Sequence, residues 1–154
     1  MVRLLMALWT GGGGLAVQAP DSAARARSTT ALRALNDSLS AVDAAAGQFQ
    51  TDLVNASRDL VISRATRLTG RCAGARVAAL SLGTLVAPRA PFRRDLATLH
   101  TELTRCEANF ATDRWYERAD SVKAWAPYRL AQLGDAVRRY RIAARAFMSQ
   151  THVK

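Results

Sequence analysis

Cys72 and Cys106 are the residues of this 154-residue chain whose type and spacing most directly invite covalent chemistry. They flank a proline pair, Pro88 and Pro91 in the stretch LVAPRAPF (85–92), and their sequence midpoint is Arg89. A C-x-x-C spacing would point to thiol exchange or zinc. Cysteines this far apart around a turn point instead to a crosslink between two segments folded back on each other. The expected disulfide is therefore Cys72–Cys106.

Other reactive groups are sparse. His100 has Glu102 and Glu107 nearby in sequence, but no nucleophile or third group completes a catalytic constellation, and His152 stands alone near the C-terminus. There is no glycine-rich phosphate loop, no G-x-S-x-G, no H-E-x-x-H and no C-x-x-C-H. These residues point to no catalytic or metal site, no cofactor and no small-molecule substrate. A non-enzymatic protein is expected.

Arginine is the third kind of chemistry on offer. The formal charge is +10, and Lys123 and Lys154 are the only lysines. The excess lies in two blocks without acids: residues 61–94, with seven arginines, and residues 138–154, with four arginines and Lys154. Guanidinium groups recognise phosphate, so Arg76, Arg89, Arg93 and Arg94 around the proline turn are candidates for meeting an anionic surface. Nucleic acid is an alternative partner, since arginines could meet its phosphates. No DNA-reading motif accompanies them, however, and Tyr140 among Arg138, Arg139 and Arg141 falls on an apolar seam.

These groups must be positioned by helices. Thirty-one residues are alanine and only 6% are aromatic, which favours closely packed helices over a thick aromatic core. No run of β-branched residues alternates with polar ones. From Leu32 a three–four spacing runs through Leu35, Leu39, Val42, Ala46, Phe49, Leu53, Ala56 and Leu60, a heptad seam that requires a partner helix. Ser28, Thr29 and Thr30 offer N-cap oxygens before it. The phase shifts near Val61 and Ile62, and with Gly70 and Gly74 in the same region a kink or break is expected there. Gly70-x-x-x-Gly74 lies among Arg67, Arg71 and Arg76, so it reads as close packing in water rather than in lipid.

Beyond the prolines, seams run through Phe92, Leu96, Leu99, Leu103, Cys106 and Phe110, then through Leu130, Leu133, Val137, Tyr140, Ala144 and Phe147. Thr112 and Asp113 are a possible recap, and Pro127 a kink or restart. Folding the chain back at Arg89 faces Val86 with Phe92, Leu82 with Leu96, Ala79 with Leu99, Ala75 with Leu103, Cys72 with Cys106 and Leu68 with Phe110. The outer seams pair in the same sense, Leu32 with Phe147 through Phe49 with Leu130. The expected fold is all-α: an antiparallel helical hairpin with coiled-coil-like seams and its main reversal near 88–91, either extended or folded into a four-helix bundle.

Residues 1–19, MVRLLMALWTGGGGLAVQA, have the form of an export signal: Arg3, an apolar stretch, and small residues Val17 and Ala19 before a cut that would leave Pro20 first. Residues 20–154 then form a single helical domain. No later stretch reaches the roughly 18 apolar residues of a membrane span. The expectation is an exported interaction or structural protein of the bacterial envelope, periplasmic or secreted, with a protein partner or a second copy of itself. An anionic membrane surface met through residues 76–94 is an alternative partner. Nucleic acid becomes the partner if the leader is not a signal. The stretch 77–88 carries no charge and is apolar on more than one face, which in a bundle the other helices would cover.

Overall fold

The computed structural model describes residues 22–87, 90–112 and 119–151, excepting the side chains of 119, 120, 150 and 151. Four helices follow in order: α1 (Ser22–Asn55), α2 (Arg58–Leu85), α3 (Arg93–Asn109) and α4 (Ala119–Thr151). No strand occurs among the described residues. Each helix packs on the next and α1 also packs on α4, so the chain is a four-helix bundle rather than an extended hairpin.

The seams supply its core. Leu32, Leu35, Leu39, Val42, Phe49 and Leu53 of α1 are buried, as are Leu130, Leu133, Val137, Tyr140 and Ala144 of α4. One position moves: Ala45 is buried where the heptad spacing marks Ala46, which is half-buried. A helix with 3.6 residues per turn drifts about 20° per heptad against a strict repeat, and Ala45 takes up that drift. Leu60, the last seam position expected, is exposed in the first turn of α2.

The break between the first two helices lies at Ala56–Ser57, not near the glycines. Ser57 has extended backbone and accepts a hydrogen bond from the Leu60 N–H at 3.4 Å, with Asp59 in the first turn. Those are the features of a helix start. Gly70 and Gly74 lie in uninterrupted helix, where a Cβ at either would meet nothing within 4 Å. Their cost is one of propensity, about 1 kcal/mol each, and the buried residues on the opposite face of α2 outweigh it.

Two other local expectations change. Ser28, Thr29 and Thr30 do not cap α1; they lie inside it, and their hydroxyls donate to the carbonyls of Ala24, Arg25 and Ala26 at 3.0–3.1 Å. The alanines and arginines of 23–27 are good helix formers and carry the helix back past them. Pro127 does not start a helix either, since it sits inside α4 with its ring exposed. Buried Ala126 and Leu130 and half-buried Trp125 hold the helix on both sides of it. Thr112 lies in a short 3₁₀ turn, while Asp113, Trp115 and Tyr116 are outside the described residues.

The reversal between α2 and α3 falls where the prolines place it. The Val86 N–H closes the last turn of α2 on the Leu82 carbonyl at 3.1 Å, and Ala90 and Arg93 continue the turn through bonds of 3.0 Å to Ala87 and Ala90. Phe92 closes this end of the core, with its ring 5.0 Å from that of Phe147 and 6.3 Å from that of Tyr140. At the opposite end Phe110 meets Phe49 at 5.2 Å and Trp125 at 5.4 Å.

Because Pro127 lacks an N–H to donate and crowds the preceding turn while making no core contact of its own, replacing it should stabilise the bundle. Pro127→Ala is expected to raise the unfolding free energy by about 1–3 kcal/mol, read as a higher midpoint in urea. An unchanged or lower midpoint would mean that the proline fits α4 without penalty.

Candidate functional site

The crosslink is the chain's one built chemical feature among the described residues. Cys72 and Cys106 form a disulfide with a Cα–Cα distance of 6.2 Å, and both are buried. Helices packed 8–10 Å apart, with Cα atoms about 2.3 Å from each axis, bring directly facing Cα atoms to roughly 3.4–5.4 Å, and slightly offset ones to a little more. That is the separation a disulfide needs. Small residues on α2 permit the approach: Ala75 and Ala79 are buried along the same face, opposite the leucines of α3. One turn beyond Cys72, the Arg76 Nε donates to Glu107 Oε2 at 2.8 Å and ties the same two helices at the surface.

Of the four arginines expected to face an anionic surface, Arg76 and Arg93 are employed elsewhere. Arg76 is held by Glu107. Arg93 reaches back from the start of α3, and its Nη1 donates to the Gly83 and Val86 carbonyls at 2.9 Å, satisfying the end of α2. Arg94 is exposed and pairs with no acid among the described residues. Arg89 lies outside them. Cationic chemistry at this turn rests on Arg94 more than on its neighbours.

His100 gains no acid. Glu102 pairs with Arg105 and Glu107 with Arg76, and the His100 Nε2 is buried without a hydrogen-bond partner. Among the described residues no group of three or more His, Cys, Asp or Glu could hold a metal ion. The Thr69 hydroxyl and the Tyr140 hydroxyl are also buried and unpartnered. Burial pushes the Tyr140 phenol up to about 12, because an anion there would lose its water.

The second arginine block forms a recess. Arg138, Arg141, Ile142 and Arg145 of α4, with Asp43 of α1, line a shallow depression of about 400 Å³. Arg141 spans to α1, donating to Asp43 at 2.7 Å and to the Ser40 hydroxyl at 3.3 Å, and Arg138 pairs with Asp135. It is a cationic surface, not a pocket with acid–base groups. The acid-free stretch 138–154 signals it in the sequence, but its alignment with α1 requires the bundle.

The apolar stretch of α2 is not fully covered. Val77, Leu80 and Leu85 remain 56%, 49% and 42% exposed, contrary to the expectation that the other helices of a bundle would bury them. Both bundle neighbours, α1 and α3, lie on the opposite side of α2, and no further helix among the described residues packs on its outer face. No helix among the described residues is long and apolar enough to cross a membrane.

No protein-family model, curated protein or solved structure matches this chain. Its chemistry must be read from these residues alone.

Two outcomes follow. Replacing both cysteines with alanine should lower stability by about 3–4 kcal/mol, from the chain entropy of the 34-residue separation that the bond closes. Denaturant midpoints of the oxidised wild type and the double variant measure it, and equal midpoints would show a crosslink without energetic weight. Tyr140 favours the neutral phenol in the fold, so its contribution is whole below its unfolded value near 10 and is lost as pH rises toward 12. Tyr140→Phe should flatten the fall in stability over that window, as followed by urea midpoints at pH 9 to 11.5. An identical slope in the two proteins would place the alkaline sensitivity elsewhere.

Proposed function

We propose that this chain is an exported, non-enzymatic helical interaction or structural protein of the bacterial envelope, periplasmic or secreted. The observation that carries the reading is the buried Cys72–Cys106 bond joining α2 and α3. Disulfides in bundle cores persist in oxidising compartments, whereas the thiol pools of the cytosol keep cysteines reduced. The leader-like residues 1–19, ending in Val-Gln-Ala before Pro20, support the same compartment.

The interaction role follows from what the chain offers. Three of its acids are spent on ion pairs that tie helices together, Asp52–Arg64, Glu107–Arg76 and Asp43–Arg141. What it presents outward is an apolar strip on α2 and a large excess of arginine. Such surfaces bind or brace a partner, whether another protein, a second copy or an anionic membrane surface.

Cell fractionation with N-terminal sequencing tests the assignment. The expected result is a species beginning at Pro20, recovered from the periplasm or the medium. A full-length chain retained in the cytoplasm would overturn it and favour nucleic acid as the partner of the arginines.

A further inference from the structure

Three reversals of direction bring together, at one end of the bundle, the start of α1, the end of α2, the start of α3 and the end of α4. Specific contacts fix this arrangement. Arg93 bonds to the last carbonyls of α2, and Phe92 packs against Tyr140 and Phe147. Arg141 holds Ser40 and Asp43, so α1 before residue 40 and α4 after residue 141 run on to that end side by side.

The charge at this end is predominantly positive. Arg25, Arg27, Arg33, Arg94 and Arg145 are exposed and pair with no acid among the described residues. Against them stand Asp37 on α1 and Asp95 in the first turn of α3. Toward the other end the charges interleave, and Asp52, Glu102, Glu107 and Asp135 each hold an arginine. The molecule is therefore polarised along its axis, a property invisible in its total charge. The strip of Val77, Leu80 and Leu85, with no charged residue among 77–87, leads up to the same cationic end.

We propose that this end docks on an anionic lipid surface. Charge complementarity and exposed apolar side chains act together at a lipid interface, where arginine meets headgroup phosphate while leucine and valine enter the acyl boundary. Nucleic acid would use the charge and leave the apolar strip in water. A second copy joined through this end would oppose like charges across the two-fold axis. The inference rests on the interaction-protein reading above and deepens it by naming the partner.

The test is flotation with phosphatidylglycerol–phosphatidylcholine vesicles, using protein with its disulfide intact and in the form in which cells leave it. Two triple variants carry the same change in net charge: Arg33→Glu, Arg94→Glu and Arg145→Glu at the cationic end, and Arg67→Glu, Arg71→Glu and Lys123→Glu away from it. The first should weaken binding by roughly a hundredfold, since each basic residue near such a surface contributes about fivefold; the second should change it by less than about tenfold. Leu80→Ser with Leu85→Ser should remove the part of binding that survives physiological salt. Circular dichroism of each variant reports its helicity. No flotation of the wild type, equal loss in the two triple variants, or tighter binding to duplex DNA than to vesicles would overturn the proposal. An exported chain that does not float would overturn the lipid partner alone. A cytoplasmic chain that floats would support that partner and overturn the export assignment alone.

Discussion

The close approach of α2 to α3 is the constraint from which the rest of the bundle follows. Alanine at 75 and 79 on one helix, against leucine on the other, lets the two axes come near enough for Cys72 and Cys106 to bond. Once that pair is fixed, Phe92 is held at one end and Phe110 at the other. Each aromatic then reaches past its own hairpin to an outer helix, Phe92 to α4 and Phe110 to both α1 and α4. The outer helices are organised around an inner pair that is already locked.

That hierarchy explains where polar chemistry is spent. An alanine-rich core gives each helix only a narrow buried stripe, so the helices need additional ties at their edges. Arg64 supplies one between α2 and α1, reaching Asp52 at 2.7 Å and Gln48 at 3.3 Å, and Arg141 supplies another between α4 and α1. These half-exposed pairs contribute modestly to stability, on the order of 1 kcal/mol or less each. Their larger effect is on orientation, because each consumes an acid. Acids are few, twelve in the whole chain, and most of those in the described helices lie away from the turn between α2 and α3. Arg94, beside that turn, is left without an acid among the described residues.

Much of this was legible before any coordinates. The seams named the buried faces, and the proline pair named the central reversal. The facing of Cys72 with Cys106 came directly from folding the chain at Arg89. What escaped was local or collective. The break at Ala56–Ser57 rests on a single serine cap, a weaker mark in the sequence than two glycines. Pro127 in α4 depends on packing at Ala126 and Leu130 that outweighs the backbone penalty. The predominantly positive end of the bundle could not be read from either arginine block alone. Arg25, Arg94 and Arg145 are far apart in the chain, and only the alternating direction of the helices assembles them. The diversion of Arg76 to Glu107 and of Arg93 to the end of α2 likewise depended on which groups became neighbours.

The Cys72–Cys106 bond matters most, since the locked inner pair rests on it and the proposed oxidising compartment is inferred from it. Quenching the protein in acid at harvest, unfolding it in guanidinium without reductant and titrating its thiols measures this directly. The expected value is no free thiol per chain, with two appearing after reduction. Two free thiols before reduction would contradict the account at its centre.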